Sequence, residues 1–598
     1  MIKYLAFAIV LYVLSYLLYL RLSHGLGHRA EYLQLRRFIP CALLAVLPLY
    51  LAGVPLSWPP FWASLVVGLS WIITYPLCYY LTYRKNSPDF GFHLDTVFGL
   101  YVCGWLLSLK LLALFFDFFP PLALAVIALL EFVLLLVPIW QAVYYLLYGT
   151  CVDETTFTLM FATYKHEAVE YLGSLPKKFK LLVPLLLLGI LAVYFYTASF
   201  ALVIAELPAG HIFLLVAEAV LLTYYLWKRR KGVFVRTGIV KLCLDVRDYL
   251  AKTNLYAEKS QERLDGISIT TSSAPLSKPS TIIMVIGESA SRDYMSAFGG
   301  RFGDSTPWLK ACSTTKNYLL FPHAYSCDVQ TVPVLKYALT EANWYNGKDI
   351  LDACSVIEMA RLAGYKTYWY SNQSYLGAAS TLVTVLARTA DTSAWVKHEF
   401  IHYQDDSSLL DYLEHINPAK DNFVVIHLKG SHFNFINRYP QSFARFSEPH
   451  KYDLVPNYLD SLAYTDHILQ RITEYARKYL NLKAMIYFSD HATRPAKQRS
   501  PIFDDFAVTR IPLFVYLSDE YIVKRPGIYA ALKANRDKYW TNDLAYDLVC
   551  GILDLHSNHF DERNSLTSPS YRYKRDDLRT GRGKKWVRDD KSENVSDR

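Results

Sequence analysis

Up to about residue 228 the chain is a succession of long apolar runs; beyond it the runs shorten, and charges and prolines appear at ordinary globular density. A run of about 20 apolar residues crosses a bilayer as a helix. About seven such runs are present, near 3–22, 38–57, 61–83, 95–117, 121–148, 180–205 and 211–228. They predict a multi-span α-helical membrane domain over 1–228. The first run lacks a following small-residue cleavage site and reads as a retained helix. Lys110, Glu131 and Glu218 interrupt the runs. Such residues face a bundle interior or a cavity, so a polar lining and a structural hydrogen bond are both open. Between the fifth and sixth runs, Phe157, Phe161, Ala168 and Leu172 recur at roughly helical spacing. That predicts an amphipathic helix near 153–172, lying either in the membrane interface or on a protein surface. The basic segment Arg21 to Arg37 and the pair Arg84-Lys85 favour the cytoplasmic side. With seven spans, that rule would leave the C-terminal half in the cytoplasm too.

After a connector over 229–280, closing in the Ser/Pro-rich stretch Thr270 to Ser280, short apolar runs alternate with helical patterns. Strands are predicted at 281–286, 367–370, 423–426, 484–488 and 512–516. Helices are predicted at 351–362 and 458–479. Strand–helix alternation with near-continuous apolar strands implies a mostly parallel α/β sheet over 281–560. This half is long enough to bury a large core.

Composition changes the picture in two places. The net charge is +9, part of it in a tail that mixes bases with acids, as in Lys574-Arg575-Asp576-Asp577. Residues 561–598 therefore read as a basic, flexible tail, or one drawn to anionic headgroups. No reader motif accompanies the charge, which argues against nucleic acid. The nine cysteines form no CxxC pair. Cys312, Cys327, Cys354 and Cys550 lie in the polar half and allow three disulfide pairings.

Ligand sites in open α/β sheets lie beyond the carboxyl ends of the strands. The strand at 281–286 runs into Gly287-Glu288-Ser289, the one at 423–426 into His427 and Gly430-Ser431-His432, and the one at 484–488 into Ser489-Asp490-His491. Carboxylates and imidazoles thus converge on one sheet edge, a donor set for a divalent metal such as zinc. Thr331 precedes Val332-Pro333 and a helical pattern. Thr is a fair N-cap and Pro suits a first turn. A helix N-terminus attracts phosphate, and a metal-bound hydroxyl there ionises readily. A plain capping role is the alternative.

Several segments together resemble the phosphoethanolamine transferases of the bacterial envelope, in the alkaline phosphatase/sulfatase superfamily. They are Val285 to Ser289, Thr331 with Ala338 to Asn343, Ala363 to Thr367, Ser371-Asn372-Gln373, His427 to His432, Asn437 to Pro440 and Phe488 to His491. The resemblance is closest to the lipopolysaccharide-core transferases and runs from about 144 to about 555. It implies a C-terminal alkaline-phosphatase/sulfatase-like domain in the periplasm, anchored in the inner membrane. It implies that Glu288, Thr331, Asp490 and His491 hold a catalytic zinc, with Thr331 as the nucleophile. His432 would line the substrate pocket, with His427 a weaker substrate-side residue. The segment 153–172 matches the family's interfacial helix. The chain departs from the family pattern after His491, where Ala492-Thr493-Arg494-Pro495 replaces Gly-Glu, and in Pro501 to Arg510, which lacks the family's further His. One zinc site is therefore implied and a second is left open. Two apolar runs before residue 84 are extra to the family's five-helix plan.

The implied reaction moves phosphoethanolamine from phosphatidylethanolamine through a phospho-threonine intermediate to lipopolysaccharide or another envelope glycan. The rivals are a phosphoglycerol transferase or a phosphatase-like hydrolase on the same scaffold, and a catalytically inactive membrane scaffold.

Overall fold

The computed structural model describes residues 1–23, 29–83, 93–116, 120–149, 151–152, 177–200, 207–228, 231–271, 276–373, 382–396, 404–496, 503 and 505–591. The expected interfacial helix at 153–172 lies outside them. The chain divides into two compact units, and the last boundary between them falls between Asp248 and Tyr249.

The first unit contains α1 (Ile2–Ser23), α2 (Arg29–Leu51), α3 (Pro59–Tyr83), α4 (His93–Phe115), α5 (Pro120–Tyr148), α6 (Lys177–Ala198) and α7 (Ala209–Trp227), followed by the start of α8 (Gly238–Glu258). Among the described residues, 6 helices are long and apolar enough to span, and Phe38–Leu51 within α2 is a shorter apolar helix. The expected span near 38–57 begins in that helix, which carries Pro40 and Pro48. Helices α3 and α4 meet at two glycines: a Cβ on Gly99 would lie 2.3 Å from the Gly68 carbonyl oxygen. Small residues permit such backbone approach where lipid gives no hydrophobic drive. The ionisable residues divide. Lys110 Nζ lies 2.7 Å from Glu131 Oε1 and also donates to the Pro60 carbonyl at 2.7 Å and Ser64 Oγ at 3.0 Å. This pair is part of a structural hydrogen-bond network, although Glu131 Oε2 has no hydrogen-bond partner among the described residues. Glu218 is buried, and neither of its carboxylate oxygens has a hydrogen-bond partner among the described residues.

The second unit is built on a seven-stranded sheet. Its strands in chain order are β1 (Thr281–Gly287), β2 (Tyr318–Leu320), β3 (Lys366–Ser371), β4 (Thr392–Trp395), β5 (Asn422–His427), β6 (Leu482–Ser489) and β7 (Leu513–Leu517). The spatial order is β2-β7-β6-β1-β5-β3-β4. The pairs β1–β5, β1–β6, β3–β5 and β3–β4 are parallel, while β7 runs antiparallel to both β6 and β2. All five expected strands are present. Every residue of β1, β5 and β6 is buried, as their unbroken apolar runs require. Apolar side chains pack on both faces: Ile282, Met284 and Ile286 into one cluster, Ile283 and Val285 into the other. The Leu454–Tyr479 helix covers the second face.

Within the connector, α8 forms, and Ile269–Thr271 pairs antiparallel with Leu555–Ser557. One expectation about the flanks is corrected. The C-terminal segment is packed through Lys591 rather than flexible. Leu566, Leu578 and Val587 are fully buried. The Asp590 carboxylate, also buried, takes a two-pronged contact from Arg510, Nε to Oδ2 at 2.8 Å and Nη2 to Oδ1 at 2.7 Å. Tyr325 Oη donates to the same carboxylate at 2.9 Å. Apolar anchors spaced among the charges outweigh the composition. All nine cysteines are free thiols, so none of the three disulfide pairings forms.

Candidate functional site

Register places the site. Gly287 of β1 is level with Ser489 of β6, so Glu288 and Asp490, the next residues, leave the sheet side by side. Ile286 is level with His427, the last residue of β5. After Glu288 the chain turns through Ser289 at φ 57°. The loop after β5 then crosses close above: a Cβ on Gly430, itself at φ 49°, would lie 2.9 Å from the Glu288 carbonyl oxygen. That approach requires glycine at 430. The Ser431 amide donates to the same carbonyl at 2.9 Å.

Ligating atoms of Glu288, Asp490 and His491 all lie within 4.8 Å of one another, and all three residues are buried. His491 Nδ1 is 3.1 Å from the Ala492 carbonyl oxygen. A carbonyl only accepts, so Nδ1 carries the proton and Nε2 offers its lone pair. Nε2 is 3.3 Å from Asp490 Oδ2 and 3.5 Å from Glu288 Oε1. Asp490 Oδ1 is held by the amides of Ser289 at 3.0 Å and His491 at 2.7 Å. Two buried carboxylates gathered around one imidazole lone pair are costly alone and suit a divalent cation.

Thr331 opens the Thr331–Ala338 helix; its N-cap is Gln330, so Thr331 is the first helical residue and not the cap expected for it. Its Oγ1 donates to Glu288 Oε2 at 3.1 Å. The sequence-predicted set Glu288, Thr331, Asp490 and His491 is therefore brought together. His427 is buried, its ring edge-on to Trp369 at 6.0 Å. Burial lowers its pKa to about 4, so it is neutral. His432 is half-buried on the loop after β5 and lies outside the converging donor group.

Three supporting residues were missed by sequence reasoning. Gln373 Nε2 reaches Glu288 Oε2 at 3.3 Å and the Leu428 carbonyl at 2.8 Å. Asp406 accepts from the amides of Lys429 and Gly430, both at 2.8 Å, and fixes that loop. Asn542 donates to the Asp490 carbonyl at 2.7 Å and accepts from the Cys327 amide at 2.9 Å, so one side chain joins the metal-side turn to the loop leading to Thr331. Gln373 belongs to a quoted motif; nothing in the local sequence marks the other two. At the opposite edge of the sheet a cleft of about 720 Å³ is lined by Lys278, Lys366, Asp391 and Asp421 among others. Its acids pair with its lysines, which leaves no comparable donor set.

A helix N-terminus with a hydroxyl, set against carboxylate and imidazole donors at the carboxyl edge of such a sheet, is an arrangement suited to metal-assisted phosphoryl transfer. Residues 280–548 match the Sulfatase family model. The chain is 25% identical over 475 residues to phosphoethanolamine transferase EptC of Escherichia coli K12, covering 72% of this chain and 80% of that one. It is 25% identical over 304 residues to the Kdo(2)-lipid A phosphoethanolamine 7''-transferase of the same strain, covering 46% and 52%. Among solved structures, the integral membrane lipooligosaccharide phosphoethanolamine transferase A of Neisseria meningitidis aligns over 88% of this chain and 98% of its own at TM-score 0.50 and 16% identity. The chain thus carries a Sulfatase-family domain and is similar along most of its length to a phosphoethanolamine transferase.

Proposed function

We propose that this protein transfers phosphoethanolamine from phosphatidylethanolamine to lipopolysaccharide or another envelope glycan, with Thr331 as nucleophile and a zinc ion held by Glu288, Asp490, His491 and the Thr331 hydroxyl. The observation that carries the reading is the Thr331 Oγ1 bond to Glu288 Oε2 at 3.1 Å, inside the donor group. Zinc bound there supplies positive charge for a threonine alkoxide and for the charge developing on the phosphoryl oxygens. The free amides at the start of the Thr331–Ala338 helix orient the donor phosphate. Thr331 loses its proton along its bond to Glu288, and Oγ1 attacks phosphorus. A Thr331–phosphorus bond forms and the bond to diacylglycerol breaks; diacylglycerol leaves with one proton. An acceptor oxygen then attacks phosphorus, breaks the bond to Oγ1 and restores Thr331. A glycan acceptor is favoured by the similarity to the Kdo(2)-lipid A enzyme.

The membrane unit anchors the enzyme in the inner membrane, with the catalytic unit on the outer face. A six-span path in which α2 does not cross would keep the basic segment Arg21 to Arg37 cytoplasmic with the catalytic unit outside, and would place Arg84-Lys85 on the outer face against the same rule.

Thr331→Ala should cut release of diacylglycerol from phosphatidylethanolamine on the order of a thousandfold or more, with unchanged thermal unfolding. Near-normal turnover in that variant would remove Thr331 from the mechanism. Release of diacylglycerol from phosphatidylglycerol instead would favour phosphoglycerol transfer.

A further inference from the structure

Away from the catalytic donors, one thiol, one imidazole and one carboxylate converge around the antiparallel bridge between Thr340 and Ser355. Ligating atoms of Glu341, Cys354 and His559 all lie within 4.8 Å of one another. Cys354 Sγ is 3.6 Å from His559 Nδ1, which is 2.9 Å from Glu341 Oε2. We propose that Cys354, His559 and Glu341 form a second zinc site, structural in role and separate from the catalytic centre. Zinc prefers thiolate and imidazole with oxygen donors in a tetrahedron. Bonds of about 2.3 Å to sulfur and about 2.0 Å to nitrogen put those two atoms about 3.5 Å apart. The sulfur and nitrogen already stand at that separation.

The backbone preorganises all three donors. The Glu341 amide donates to the Cys354 carbonyl at 2.8 Å, which ties those residues together. The His559 carbonyl accepts from buried Tyr546 Oη at 2.9 Å. Cys354 Sγ faces the Arg263 carbonyl at 3.9 Å, in the stretch joining α8 to the sheet. A metal here would fasten that stretch, the segment after the Thr331–Ala338 helix and the turn after Leu555–Ser557 to one point.

A thiol nucleophile is the rival use of the same residues, and the geometry rejects it. A relay needs the two ring nitrogens on two different partners, whereas here one nitrogen, Nδ1, faces both sulfur and carboxylate. The fourth side of the group is taken by Lys348, whose Nζ is 2.5 Å from Glu341 Oε1 and 3.5 Å from His559 Nδ1. Its side chain is 30% exposed, so the ammonium can swing to solvent as a dication and a water enter.

Lys348 makes the test two-sided. The full-length protein, stripped with chelator and titrated with cobalt(II), should develop a cobalt–thiolate charge-transfer band. The catalytic donors contain no sulfur, so that band reports this site alone. Cys354→Ala should abolish the band and lower the zinc content by one ion per chain by elemental analysis, with the catalytic zinc kept. Lys348→Met should tighten cobalt binding several-fold, because it removes a competing cation, while a hydrogen-bonded network with no metal would only be weakened. Absence of the band in the folded wild-type protein, or loss rather than gain of affinity in Lys348→Met, would overturn the proposal. Neither result bears on the role of Thr331.

Discussion

Glu288 joins the parts of the site. One carboxylate oxygen accepts the hydrogen bond from Thr331 Oγ1, the other faces His491 Nε2, and Gln373 donates to the first. Glu288→Gln should therefore reduce both zinc retention and turnover, whereas Gln373→Ala should lower turnover about tenfold with zinc retained, a loss on the scale of one supporting contact. Elemental analysis beside a diacylglycerol assay separates the two. The four central residues were legible because each sits at a strand end or helix start with its motif around it. Asp406 and Asn542 were not, because they act on residues distant in the chain. A pH effect belongs at this scale too. Burial alone would raise the Glu520 carboxyl, but hydrogen bonds from Lys483 and from the Ser277 side chain and amide hold it well below its ordinary value of 4.5. Its folded-state pKa is depressed, so this stabilisation is present above that ordinary value and is lost as pH falls through the folded-state one. Glu520→Gln should lower Tm at pH 7, and the gap to wild type should close in acid.

At the scale of elements, apolar continuity announced β1, β3, β5, β6 and β7. The short strands β2 and β4 escaped, since three or four residues carry no period and sheet pairing rather than propensity makes them strands. The C-terminal segment misled because its charges outnumber its anchors. It makes a hairpin, Arg579–Thr580 with Lys585–Trp586, that grips the loop before Thr331. Thr580 Oγ1 donates to the Ser326 carbonyl at 2.6 Å, and Arg582 Nε lies 3.3 Å from Asp328 Oδ2. Truncation before Arg579 should thus impair transfer well away from the donor group. Asp590→Ala should destabilise the catalytic unit by about 3–5 kcal/mol, as when one partner of a buried ion pair is removed; a diacylglycerol-release assay reads the first and chemical denaturation of the full chain the second. In the membrane unit, Gly99→Leu should separate α3 from α4 and lower the yield of folded protein in detergent, as monitored by size-exclusion profile.

At the scale of the whole molecule, the two-part plan was evident from the change in hydropathy near residue 228, although the structural division falls at Asp248, inside α8. A run of amino acids cannot show that boundary, because a continuous helix crosses it. The account of the whole rests on a membrane-anchored unit whose Thr331 carries the transferred group between lipid and glycan. Intact-mass spectrometry after incubation with phosphatidylethanolamine and zinc, without acceptor, tests that claim most directly. The account predicts a phosphoethanolamine-sized mass gain that maps to Thr331, is absent in Thr331→Ala and disappears when acceptor is added. A zinc-loaded protein that gains no such mass and releases no diacylglycerol would contradict it.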